Sequence, residues 1–226
     1  MNVIDRPTIE RFRRQVLDWG ARHRRAFFWR SCPLGAYELL VIEILLARTR
    51  AESVEPVATR LLERYPTVED LAAADPAEVA GILYPLGLYR KRSRALVYAA
   101  RAIRDEHDGM VPTEVRALLR LPYVGRYAAH ALICFKYGKR CAVVDANVAR
   151  VLRRFFALDA PTRKLEHEEL YWMLAQRLVP RGAPREYNWS LLDLGALVCK
   201  PIRPRCSECP LATWCNEARL LTSDED

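Results

Sequence analysis

Residues 116–137 read RALLRLPYVGRYAAHALICFKY. Two helical segments, 116–121 and 126–137, are separated by the turn Leu121-Pro122-Tyr123-Val124-Gly125. Proline cannot continue a helix interior, and the glycine lets the chain turn sharply. A turn of this kind feeding a helix N-terminus presents free backbone N–H groups. These can hold a phosphate oxygen directly or through a bound cation. Junctions of this shape also occur in proteins that never touch DNA, so the turn alone fixes local structure and no activity.

The same grammar extends outward in both directions. Apolar residues recur at three- and four-residue spacing in 36–48, 53–64, 94–105 and 165–178, while alternating strand-like stretches are nearly absent. The junctions are short: Pro66-Thr67, Asp75-Pro76, Pro85-Leu86-Gly87, Asp108-Gly109 and Pro112-Thr113. Thr67, Asp75 and Thr113 have the character of N-caps, with Glu69, Glu78 and Glu114 adding negative charge in the first turn. The expectation is an all-α protein of many helices joined by tight turns, ending in a loose acidic tail over 222–226.

Composition narrows the function classes. Of the 226 residues, 51% are hydrophobic and 28% charged, which excludes a wholly disordered chain. No apolar run approaches the roughly 18 residues of a membrane span, so no membrane partner is expected. The start, Met1-Asn2-Val3-Ile4-Asp5-Arg6, lacks the basic-then-apolar order of a signal peptide. A cytoplasmic, nucleoid-associated protein is therefore expected, and its seven cysteines read as free thiols or metal ligands. The net charge, 36 − 28 = +8, favours a polyanionic partner. Residues 89–104 contain Arg90, Lys91, Arg92, Arg94, Arg101 and Arg104 and no acid; 116–154 hold nine basic residues against Asp145 alone. Such stretches suit a surface that tracks phosphates.

Three constellations carry chemistry. Cys199, Cys206, Cys209 and Cys215 form a C-x6-C-x2-C-x5-C loop interrupted by Pro201, Pro204 and Pro210. Spacing alone leaves structural zinc and a cubane iron–sulfur cluster evenly matched. Cys32, Cys134 and Cys141 read as buried thiols. Asp145 precedes Ala146-Asn147-Val148-Ala149-Arg150, where an N-cap is expected. Glu43 has Leu39, Leu40, Leu46 and Ala47 as its helical neighbours, a face on which an unpaired glutamate is costly. A salt bridge to Arg50, or a helix rotated to leave Glu43 in solvent, would explain it without function.

The cysteine loop, the turn at 121–127 and Val144-Asp145-Ala146-Asn147 occur together in helix-hairpin-helix DNA glycosylases. From about Tyr37 to Cys215 the sequence resembles the branch holding endonuclease III, the adenine–DNA glycosylases and, most of all, the mismatch-specific thymine–DNA glycosylases. The resemblance implies two helical lobes with DNA and a flipped base between them. One is 32–140, ending in the helix-hairpin-helix at about 116–137; the other is 1–31 with 141–226. It implies a 4Fe–4S cluster on Cys199, Cys206, Cys209 and Cys215, in a loop whose Lys200, Arg203 and Arg205 contact phosphates. It assigns Tyr123, Val124, Gly125 and Arg126 to the DNA backbone, with a monovalent cation at the hairpin. Family members usually have glycine where Tyr123 stands, so Tyr123 must accept a less favourable turn conformation or offer its ring for stacking.

By the same resemblance Asp145 is the catalytic carboxylate, Asn147 positions it or a water, and Glu43 is a second catalytic carboxylate. Tyr127 stands where endonuclease III has the lysine that forms a Schiff base, which implies a glycosylase without strong lyase activity; Lys136 and Lys139 could supply only incidental lyase activity. Adenine enzymes continue past the glutamate helix with a glutamine-rich segment. Here the residues are Ala47-Arg48-Thr49-Arg50, with an arginine–threonine pair as in the thymine enzymes. Arg48 becomes a wedge or guanine reader, and Arg50 a further DNA contact. The expected activity is release of T or U mispaired with G from double-stranded DNA by a monomeric enzyme of base excision repair. The alternatives are an adenine glycosylase acting opposite G or oxidised G, and a non-catalytic DNA-binding module.

Overall fold

The computed structural model describes residues 4–159 and 165–223. In chain order its α-helices are α1 (Arg6–His23), α2 (Phe28–Ser31), α3 (Ala36–Leu46), α4 (Ala51–Arg64), α5 (Val68–Ala73), α6 (Pro76–Leu83) and α7 (Tyr89–Glu106). They continue as α8 (Val115–Leu118), α9 (Arg126–Tyr137), α10 (Ala146–Phe156), α11 (Glu169–Leu178), α12 (Pro184–Leu197) and α13 (Asn216–Ser223). Short 3-10 turns complete the secondary structure, and no strand occurs among the described residues. No helix is long and apolar enough to cross a membrane.

The local rules explain most boundaries. Thr67 accepts from the Asp70 amide while Asp70 bonds back to the Thr67 amide, a reciprocal capping box that starts α5. Asp75 accepts from the Ala77 amide at 2.9 Å, and Pro76 opens α6. α8 begins at Val115 and spans four residues, with Glu114, not Thr113, in the cap position. The first helix of the hairpin is thus two residues shorter than 116–121 suggests. The periodic stretch 165–178 divides into a 3-10 turn, Leu165–His167, and α11. The expected tail is partly helical, since α13 runs through Ser223; residues 224–226 lie outside the described residues.

The chain divides into two compact units. Ala26–Tyr137 is continuous. Its centre is α3, on which Leu39 to Leu45 are all buried, Glu43 included. Helices α4, α7 and α9 pack on α3, and α5 and α6 cover α7. The boundary falls at 26 and not at 32. Phe27 and Trp29 stack at 4.6 Å, and the Phe28 amide donates to Glu55, tying α2 to this unit.

The second unit joins Met1–Arg25 to Gly138–Asp226. It starts at 138 and not at 141, since Arg140 donates to the Val179 carbonyl and the Ala142 amide to Gln176. Helix α1 lies along α12 so closely that a Cβ on Gly20 would sit 1.8 Å from the Ser190 hydroxyl. The end of α1 is fixed by Arg25, whose amide and guanidinium both donate to the fully buried Asp193 at 2.8 Å. Phe12 meets Phe155 edge-on at 4.9 Å, seating α10 beneath the pair.

Candidate active site and nucleic-acid interface

In the discontinuous unit, Asp145 caps α10. One carboxylate oxygen accepts the Val148 amide at 2.8 Å and the other the Asn147 side-chain amide at 2.7 Å. Asn147 Oδ1 in turn accepts from Arg150 at 2.9 Å. That guanidinium also donates to the carbonyls of Gly195 and Cys199, each at 2.7 Å. A hydrogen-bonded chain therefore runs from Asp145 through Asn147 and Arg150 to the backbone of the first cysteine of the loop. Gly195 permits it: an added Cβ would lie 2.7 Å from Asn147 Cβ and 2.9 Å from its carbonyl oxygen. Burial pushes the Asp145 carboxyl above its ordinary value, against the opposing hydrogen bonds of Val148 and Asn147 and the charge of Arg150. The result is an oriented carboxylate with little solvation, suited to stabilising a positive charge that develops beside it.

In the continuous unit, Glu43 is only 1% exposed. It hydrogen-bonds Tyr127 at the start of α9, and its Oε2 has no partner. Neither bland explanation applies. Glu43 is not in solvent, and the groups that act on it are Tyr127 and Arg30, while Arg50 is exposed at the cap of α4. Burial raises the carboxyl to about 8, opposed by the Tyr127 hydrogen bond and the charge of Arg30. At neutral pH this group is a proton donor.

At the hairpin, Tyr123 has φ 63°, the left-handed region that glycine tolerates and tyrosine adopts at a cost of about 1 kcal/mol. Its ring is 54% exposed and stacks on Tyr98, centroids 6.3 Å apart at 26°. Gly125 has no positive φ, and a Cβ there would meet no heavy atom within 4 Å. The fold does not demand glycine at 125, and the space beside it is open to an incoming group. Val124 is buried beneath the turn.

Several cations of the basic stretches are committed within the protein. Arg92 is buried, Arg101 donates to the carbonyls of Ala72 and Ala74, and Arg104 pairs with Asp105. Lys136 donates to Leu34 O, Arg140 to the end of α11, and Arg153 and Arg154 to Glu217. Part of each acid-free run here satisfies backbone carbonyls or carboxylates outside the run, which sequence cannot distinguish from a phosphate-tracking surface. Arg48 and Arg203 are exposed, each with positive φ (62° and 51°). Arg205 is exposed and pairs with Glu208 at 3.5 Å; Lys200 is half-buried.

The four loop cysteines line one cavity together with Arg154 and Pro204. Among the described residues no three His, Cys, Asp or Glu side chains converge as ligands of a single ion. Four sulfurs around a shared space, with the Arg154 guanidinium 3.5 Å from Cys199 Sγ, fit an anionic multi-atom cluster. Cys32, by contrast, is exposed at the end of α2, while Cys134 is buried and Cys141 half-buried. Sequence reasoning missed Arg150 and Tyr98. Arg150 stands three residues after Asn147, on the same helix face, which was a usable signal; nothing in the sequence marked Tyr98.

Residues 41–176 match the family described as HhH-GPD superfamily base excision DNA repair protein. The chain is 35% identical over 201 residues to a thymine/uracil-DNA glycosylase of Methanothermobacter thermautotrophicus, covering 89% of this chain and 90% of that one. It is 40% identical over 202 residues to an adenine DNA glycosylase of Mycolicibacterium smegmatis, covering 88% of this chain and 67% of the other. Among solved structures, a thermostable thymine-DNA glycosylase superposes with a TM-score of 0.86 at 33% identity, over 94% of this chain and 97% of that one. The all-helical architecture, the short hairpin ahead of α9 and these likenesses agree: the chain belongs to the HhH-GPD superfamily of base excision DNA repair proteins.

Proposed function

We propose that this protein is a monofunctional DNA glycosylase that hydrolyses the N-glycosidic bond of T or U opposite G in double-stranded DNA. The observation that carries the reading is Tyr127, hydrogen-bonded to the buried Glu43. A phenol cannot form the imine through which a lysine cleaves the strand, so the product is an abasic site in an intact strand. The protonated Glu43 carboxyl supplies a proton to the departing base, and Tyr127 orients it. Asp145, held by Val148 and Asn147, stabilises the positive charge that grows on the sugar as the bond breaks. Water then adds to the sugar carbon and loses its proton, which balances the one taken by the base. Arg48 reads the guanine left behind, its forked donors matching that base's acceptor edge.

DNA is held at the hairpin by Tyr123, Val124, Gly125 and Arg126, with a monovalent cation, and at the cysteine loop by Lys200, Arg203 and Arg205. Cys199, Cys206, Cys209 and Cys215 would hold a 4Fe–4S cluster, as their shared cavity supports. When bound it supplies rigidity to the loop. The protein acts as a monomer.

A second reading has its own support, the 40% identity to an adenine DNA glycosylase. One experiment separates the two: base release from duplexes holding T·G, U·G, A·G and A opposite oxidised guanine. Faster release of T and U than of adenine is the expected outcome. Adenine release opposite oxidised guanine with T·G untouched overturns the thymine assignment, and no release from any duplex, with binding retained, favours the non-catalytic module.

A further inference from the structure

Arg92 is 7% exposed, and every one of its hydrogen-bond acceptors is uncharged. One guanidinium nitrogen donates to the carbonyls of Leu86 at 2.7 Å and Gly87 at 2.6 Å, in the turn entering α7. The other donates to the Ala47 carbonyl at 2.9 Å and to the Thr49 hydroxyl. Ala47 and Thr49 flank Arg48, which is exposed and left-handed. A strained residue keeps such a conformation only where its surroundings over-determine it. Here both neighbours of Arg48 are clamped by one planar fork, itself anchored to a second turn. A lysine has no fork and could not span these acceptors.

We propose that Arg92 is the positioning residue for Arg48, fixing the presentation of its guanidinium and thereby the enzyme's choice of the base opposite the excised one. The inference rests on the reading of Arg48 as the guanine reader. Burial lowers the proton affinity of Arg92, and the charge of Arg48 adds to that lowering. The two cations therefore repel, and of the two it is Arg48 that is exposed.

The test is a double-mutant cycle on full-length protein with cluster content and helicity verified. Single-turnover release of uracil is measured from U·G and U·A duplexes, and the ratio of the two rates is the readout. Arg48→Ala should lower the U·G preference roughly tenfold or more, as loss of one forked base contact does. Arg92→Lys should lower it to a similar value, and the double variant should be no worse than either single one. Thr49→Val, which removes one acceptor of four, should give a smaller loss and serves if Arg92→Lys does not fold. An unchanged ratio in Arg48→Ala removes the guanine-reader assignment and the proposal with it. A reduced ratio in Arg48→Ala, with Arg92→Lys and Thr49→Val at the wild-type ratio or with additive losses, overturns the role of Arg92 alone.

Discussion

Replacing Glu43 with glutamine should make the protein more stable and less active, and the size of the first effect follows from the carboxyl's surroundings. The unfolded chain binds this proton near the ordinary value of 4.5, whereas the folded chain holds it to about 8 because the side chain is buried. A group bound more tightly in the folded state gives stability that is fully present below 4.5 and is lost as pH rises towards 8. Each pH unit in that window removes about 1.4 kcal/mol, so going from pH 5 to 7 removes about 3 kcal/mol. For a chain of this length that is roughly 5–10 °C in Tm. Glu43→Gln has no proton to lose and should lack this slope. Thermal unfolding of both proteins from pH 5 to 8 checks it, with the wild type falling below the variant as pH rises. Base release should drop about 10²–10⁴-fold in the variant, and in the wild type should fall above pH 8. Parallel Tm curves, or a wild-type rate flat from pH 7 to 9, would refute the account of Glu43 as a buried acid.

Three further outcomes are expected. Tyr127→Lys places an amine where the phenol stands and should yield a borohydride-trapped protein–DNA adduct that the wild type does not form. Purified protein should be brown, with about four iron and four sulfide per chain; a colourless protein with stoichiometric zinc would remove the cluster. Arg150→Leu cuts the link between Asn147 and the Cys199 carbonyl. It should slow base release by up to about 100-fold through misplacement of Asp145 while leaving DNA affinity within a few-fold; an unaltered rate would show that Asn147 needs no support.

Helical patterning and capping chemistry were legible residue by residue, because both depend on neighbours a few positions apart. Thr67, Asp75 and Asp145 are local signals and behave as such. Thr113 lies one position early, since the helix opens at Val115 and Glu114 takes the cap position. The cationic stretches are legible only in part: whether an arginine faces phosphate or a buried carbonyl depends on partners distant in sequence, 29 residues away for Arg101 with Ala72 and 49 for Arg150 with Cys199. The left-handed turn at Tyr123 is anticipated from the glycine that family members usually have there, but its companion Tyr98 belongs to α7 and leaves no trace in local sequence.

The pairing of α1 with α12 also has a bearing on how the chain is made. The apolar face of α1, with Ile9, Phe12, Val16 and Trp19, emerges from the ribosome long before its main partner, Pro184–Leu197. At 5–20 residues per second that partner follows on the order of tens of seconds later. Meanwhile the continuous segment Ala26–Tyr137 is already complete, with Glu43 and Tyr127 in it. Asp145 acquires its Arg150 support only when Gly195 and Cys199 have arrived. The nascent chain thus carries its acid long before its carboxylate is secured, and an exposed amphipathic helix throughout that interval. Synthesis order thus leaves the support of Asp145 to the last quarter of the sequence, and leaves α1 without its main partner until then.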